Sequence, residues 1–261
     1  MWNVLIFLFG LIVGSFLNCV IYRLKEDKGF FWGRSFCPYC KHKLAFEDLI
    51  PLFSFFLLKG KCRYCKKSIS WQYPFVEVTT ALLFLLISNQ FPISNFQNLL
   101  FTIYYLLITC FLIIIFVYDL RFYTIPDQVI YPAIALTFLY QLFRIWDFGN
   151  WDLFGIWDLG FGILPSLFLL AIILFSHGQW MGFGDFKLVA FMGLFLGFPD
   201  ILVALFSAFF SGAIIGTGLV ISGKKTLKSE VPFGPFLIGG TFISLFWGSQ
   251  ITNWYLNLLY L

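Results

Sequence analysis

The stretch FQNLLFTIYYLLITCFLIIIFVY, residues 96–118, decides the fold: 23 consecutive residues without a charge, ending directly on Asp119. A helix that crosses a bilayer needs about 20 mostly apolar residues, so this stretch reads as a transmembrane helix. Working outward, the same pattern recurs at Trp2–Tyr22, Pro74–Ser88, Gln128–Ile145, Gly155–Ser176, Phe186–Phe198, Ile201–Ser222 and Phe233–Leu256. Composition agrees. Of 261 residues, 60% are hydrophobic and 11% charged, against roughly 25% charged in soluble domains. A soluble globule built this way would expose apolar patches beyond what monomers tolerate. The expected fold is an all-α polytopic membrane protein of about eight transmembrane helices. The lipid bilayer is its surroundings, and a net charge of +4 gives no reason to expect nucleic acid as a partner. Phe186–Phe198, at about thirteen residues, is either a thin span or a re-entrant piece.

Charge sets the orientation. With the N-terminus outside, sixteen of the seventeen basic residues fall in inner loops and only Arg144 falls outside. The positive-inside rule then gives both termini outside. The first segment has no Lys or Arg before it and no small-residue cleavage site after it, so it reads as an anchor rather than a removable signal. The expected division is a first transmembrane helix (1–22), a polar cytosolic insert (23–73) and a transmembrane core of about seven helices (74–261).

The insert holds two cysteine pairs, Cys37-Pro-Tyr-Cys40 and Cys62-Arg-Tyr-Cys65, with repeated flanks, Lys41-His42-Lys43-Leu44 against Lys66-Lys67-Ser68-Ile69. Each half reads as a knuckle presenting two thiolates, and four thiolates suit tetrahedral zinc. A reducing compartment disfavours the competing pair of disulfides. Four protein ligands leave no open position, so the zinc-ribbon-like site is structural. Cys19 and Cys110 lie in apolar segments and read as small buried hydrophobes. His42 reads as solvent-facing.

Ionisable groups beside apolar spans are functional candidates, and three aspartates qualify. Asp119 closes the third span, where a carboxylate opposes the negative end of the helix dipole. Asp127 opens the fourth, where N-capping accounts for it. Asp185 closes Gly182-Phe183-Gly184-Asp185 before the sixth; it too fits an N-cap, but its glycines permit close approach of another backbone, such as an extended peptide. The derived topology puts Asp119 and Asp185 on one membrane face. Two carboxylates sharing a desolvated site cannot both ionise easily, and such a pair can hydrolyse an amide, one acting as base and the other as acid. The chain has only two His and no HExxH, Walker or GxGxxG motif. That leaves Ser-His-Asp, zincin, NTPase and Rossmann chemistry without support.

Five motif blocks in order then carry a resemblance over nearly the whole chain. They are Gly14–Arg23; the cysteine pairs with Trp71–Glu77; Tyr118-Asp119-Leu120 with Ile125-Pro126-Asp127; Gly182–Leu188; and Val231–Pro235. Together they resemble the bacterial type IV prepilin peptidases, also called leader peptidase/N-methyltransferases, which are membrane aspartic peptidases of the GxGD type. The resemblance implies that Asp119 and Asp185 are the catalytic pair. It implies cleavage of the basic leader of prepilins and pseudopilins at the cytosolic face of the bacterial inner membrane, after a Gly. Methylation of the new N-terminal residue, usually Phe, by S-adenosyl-L-methionine would follow. Gly182, Gly184, Asn18, Gly60, Glu77 and Asp127 match as candidates for binding substrate or cofactor. Asn18 and Glu77 fit equally an internal role that orients the insert. Gly14 and Ser15 suit close helix packing. Glu26, Asp27, Glu47 and Asp48 would attract a basic leader, although eleven basic residues share their insert. The family often has Pro where Lys25 stands. The competing reading is a non-catalytic zinc-ribbon scaffold for pilus or secretion assembly; a transporter built on the aspartates would place them nearer the midplane.

Overall fold

The computed structural model describes residues 2–26, 35–91, 96–147, 153–178, 181–223, 226 and 231–259. Its helices are α1 (Trp2–Lys25), α2 (Phe53–Leu57), α3 (Gln72–Gln90), α4 (Phe96–Phe122), α5 (Asp127–Asp147), α6 (Leu153–Phe175), α7 (Phe183–Leu196), α8 (Asp200–Ile221) and α9 (Gly234–Leu259), with a 3₁₀ turn at Phe46–Leu49. The eight long helices coincide with the eight apolar segments, every boundary within four residues. Among the described residues, Trp2–Lys25, Gln97–Phe122 and Asp200–Ile221 are long and apolar enough by themselves to cross a bilayer. The only β-bridges among the described residues are two isolated ones, Phe36 with Lys43 and Lys61 with Ser68.

The chain packs as two units, Met1–Ile114 and Ile115–Leu261. In the first, α1 lies along α3. The buried positions of α1 (Gly10, Leu11, Gly14, Leu17, Asn18, Ile21) and of α3 (Glu77, Thr80, Ala81, Phe84, Ile87, Ser88) each follow the three-and-four spacing of one helix face. Glycine makes this seam possible. A Cβ on Gly10 would sit 2.6 Å from the Ala81 Cα, and one on Gly14 2.7 Å from the Glu77 Cα.

The cysteine insert repeats its conformation as well as its sequence. In the first knuckle the Cys37 N–H donates to the His42 carbonyl (3.0 Å) and the Lys41 N–H to the Cys37 carbonyl (2.9 Å). In the second, Cys62 donates to Lys67 (2.8 Å) and Lys66 to Cys62 (3.0 Å). Lys41 and Lys66 hold the same left-handed φ of 59°, which for a lysine costs about 1–2 kcal/mol. Both halves accept that strain to turn the chain straight after the second cysteine.

In the second unit α7 touches α5, α6, α8 and α9. Leu188, Val189, Phe191, Met192, Gly193, Leu194 and Phe195 are all buried. A helix apolar on every side belongs at a centre, and this explains why the shortest apolar segment has no polar face. Asp185 sits in its first turn.

Candidate active site and metal centre

Asp119 occupies the last turn of α4 and is only 5% exposed. Its position against its own helix dipole is compensated from elsewhere. The Gly234 N–H, at the start of α9, donates to Asp119 Oδ2 at 3.0 Å. The carboxylate therefore sits at the positive end of a second helix, where free N–H groups favour an anion.

Asp185 also meets a helix N-terminus, its own. Gly182 is the N-cap of α7, and the Asp185 N–H donates to the Gly182 carbonyl at 3.2 Å. Asp185 is thus the third helical residue and not the cap. Just outside the apolar segment Phe186–Phe198, its acid is pushed up to about 6 by burial and then by the charge of Asp119, against a backbone hydrogen bond from Gly182. Asp185 therefore lies within reach of the field of Asp119.

Asp127 is likewise not a cap. Pro126 occupies that place, its carbonyl accepting from Val129 (3.0 Å) and Ile130 (3.1 Å). Asp127 Oδ1 instead accepts from Lys187 Nζ at 2.6 Å, and Lys187 lies 4.9 Å above the Tyr131 ring. Gly184 faces Ile125, whose Cβ would be 3.3 Å from an added Cβ.

The candidates of the first unit make internal contacts. Asn18, 2% exposed, donates to the carbonyls of Gly14 (3.2 Å) and Tyr73 (3.1 Å) and accepts from Gln72 (3.2 Å). Buried Glu77 accepts the Leu52 N–H at 2.8 Å, holding a residue whose φ is 58°. Gly60 sits in the turn after α2 at φ 67°, its N–H on the Phe55 carbonyl. Glu77 thereby fastens the middle of the insert, and Asn18 its C-terminal end, to the α1–α3 pair. Glu47 and Asp48 are both ion-paired with Arg63 (3.1 and 2.8 Å), so one of their two charges is offset and less is left for a basic leader. Asp27 lies outside the described residues.

Cys37, Cys40, Cys62 and Cys65 converge, their sulfurs all within 4.8 Å of one another and the Cys37–Cys65 pair at 3.9 Å. Tetrahedral zinc with Zn–S near 2.3 Å demands edges of about 3.8 Å, so the donor set fits. Burial pushes the Cys37 thiol up, but backbone hydrogen bonds from Cys40 and Tyr39 outweigh it and bring it down to about 7. The Lys67 backbone favours the Cys65 thiolate, yet burial and three sulfur neighbours push that thiol up to about 11. Protons shared among four sulfurs are what a bound cation displaces. His42 is exposed and packs on Tyr64 at 3.7 Å between ring centres. Cys19 and Cys110 are half-buried rather than fully enclosed.

No role for Gly234 or Lys187 is readable from the motifs that contain them. The available signal for Gly234 is the Gly-Pro pair at a helix start, which leaves a backbone N–H free for a partner distant in sequence.

This is the architecture of a polytopic α-helical membrane protein that carries a four-cysteine insert and, at helix ends, two aspartates of which one feels the charge of the other. Residues 8–91 match the family model described as the bacterial peptidase A24 N-terminal domain, and residues 106–217 match that of the type IV leader peptidase family. The chain is 34% identical over 283 residues to a prepilin leader peptidase/N-methyltransferase of Aeromonas salmonicida, covering 97% of this chain and 93% of the relative. It is 32% identical to the protein of that name from Bacillus subtilis (97% and 98%) and 31% identical to that from Pseudomonas aeruginosa (96% and 92%). No solved structure matches it. The chain belongs to the type IV leader peptidase family.

Proposed function

We infer that this chain cleaves the basic leader from type IV prepilins and pseudopilins, then N-methylates the exposed N-terminal residue. The charge of Asp119 felt at Asp185, with the Gly234 N–H of α9 on Asp119, supports this reading. Hydrolysis needs one ionised and one protonated carboxyl. The Gly234 N–H favours ionised Asp119, while burial keeps the shared proton on Asp185. Asp119 takes a proton from water, the hydroxyl oxygen bonds to the scissile carbonyl carbon, and Asp185 gives its proton to the leaving nitrogen as the C–N bond breaks. The Gly182–Gly184 turn exposes backbone beside Asp185 for an extended peptide.

The proposed setting is the bacterial inner membrane, with both termini outside and the aspartates at the cytosolic face, where the leader of a pilin meets its apolar helix. The proposed division is the anchor 1–22, the insert 23–73 and the peptidase core 74–261. Cys37, Cys40, Cys62 and Cys65 would hold zinc, which would fold the insert and take no part in hydrolysis.

Methyl transfer rests on the relatives' names. The two best-defined cavities, about 320 Å³ along α9 and about 480 Å³ between α6 and α8, are lined almost wholly by apolar side chains. Neither suits a cationic nucleoside donor such as S-adenosyl-L-methionine.

The test is purified full-length protein with a prepilin, following leader loss and N-terminal mass. Asp119→Asn and Asp185→Asn are each expected to abolish cleavage. Leader loss that persists in either variant would falsify the pair.

A further inference from the structure

Hydrolysis by Asp119 and Asp185 leaves a second group of charges unused, and that group brackets Asp185. α4 ends three residues past Asp119, with the Tyr123 N–H on the Asp119 carbonyl (2.9 Å) and Tyr123 in a left-handed turn at φ 58°. The chain then runs through Ile125-Pro126 into Asp127, the first residue of α5. Ile125 packs on Gly184, so closely that a Cβ there would lie 3.3–3.4 Å from three of its carbons. Asp127 pairs with Lys187 at 2.6 Å. The residues flanking Asp185 on both sides are therefore gripped by one short segment, and that segment follows directly from the helix end carrying Asp119.

The geometry points to Lys187 and Asp127 as positioning residues: their ion pair fixes the start of α7 against the turn after α4 and so sets the register of Asp185 on Asp119. This rests on the two-aspartate reading above. Side-chain exposures of 20% for Lys187 and 59% for Asp127 mean the pair adds little to stability. Its purpose lies in placement. A displacement of about 1 Å at a reacting group costs on the order of a hundredfold in rate, whereas an ion pair at this position costs almost nothing in melting when removed.

The experiment is a double-mutant cycle on the full-length protein in lipid nanodiscs with a synthetic prepilin. The variants are Asp127→Asn, Lys187→Gln, the double variant, and Lys187→Arg. Each single is expected to lower kcat roughly tenfold or more, with KM within about twofold and the melting temperature unchanged. Because the residues act as one unit, the double should be no slower than either single, and Lys187→Arg should retain most of kcat. Singles that cleave at the wild-type rate would overturn the inference. So would losses that multiply in the double, a fall that merely tracks melting, or a rise in KM alone, which would make Asp127 a contact for the basic leader. Asp185→Asn run alongside separates the two ideas. If it still cleaves, the two-aspartate reading fails; if it is dead while the pair variants are normal, only the positioning role fails.

Discussion

Replacing Gly234 with alanine tests the carboxylate pair without touching either acid. Gly234 is not in a left-handed conformation, so the backbone tolerates the change. The new Cβ would stand 2.6 Å from Asp119 Oδ2 and 3.2 Å from its Cγ. The nearest atom is the end of a flexible side chain, so the carboxylate retreats and the helices stay in place. In retreating by about 1 Å it loses the 3.0 Å hydrogen bond from Gly234. A hydrogen bond to a charged group contributes about 1.5–3 kcal/mol, or roughly a ten- to hundredfold bias towards the ionised base, and misplacement alone is of the same order. Gly234→Ala should therefore lower kcat/KM for prepilin cleavage about a hundredfold while the thermal unfolding midpoint in detergent moves little. Gly239, in the same helix with open space around its Cα, is the control. Alanine there should leave cleavage intact and stabilise slightly. A Gly234→Ala enzyme that cleaves within twofold of wild type would refute the role given to this contact.

Three further outcomes are expected. Asp185, pushed up to about 6 by burial and by Asp119, must be protonated to act as the acid. A pH profile of kcat/KM should accordingly decline as pH rises through about 6, and Asp185 should favour the fold most below its unfolded value near 4, an advantage lost over the same rise. Metal analysis should find about one zinc per chain, as four thiolates without an open position require, and Cys37→Ser with Cys40→Ser should remove it. Gly10→Ala drives a Cβ into the backbone of Ala81, an overpacking that costs about 1–3 kcal/mol and should appear as a lower melting temperature.

The helices were legible because each is a predominantly apolar run bounded by polar residues, a signal local to that run. The knuckles were legible because the cysteine spacing repeats together with its flanks. What escaped were contacts whose partners lie far apart and share no repeated motif. Gly234 meets Asp119 across 115 positions and Lys187 meets Asp127 across 60, and neither pair leaves a local pattern. Local rules also misassigned Asp127 as a helix cap and left that role open for Asp185, because capping chemistry reads the same one or three residues into a helix. Glu47 and Asp48 read as free for a cationic peptide, yet both are held by Arg63, 16 and 15 positions away, which offsets one of their two charges.

The shortness of α7 has a consequence for its surroundings. Fourteen residues rise only about 21 Å, against a hydrocarbon layer of about 30 Å. Enclosed by α5, α6, α8 and α9, such a short helix meets protein rather than lipid along its length, and its ends fall short of the depth that longer neighbours reach. Asp185 stands at one of those ends. Peptide-bond scission consumes a water molecule, and a recess left by a sunken helix end would admit it where a full-length helix would keep the site dry.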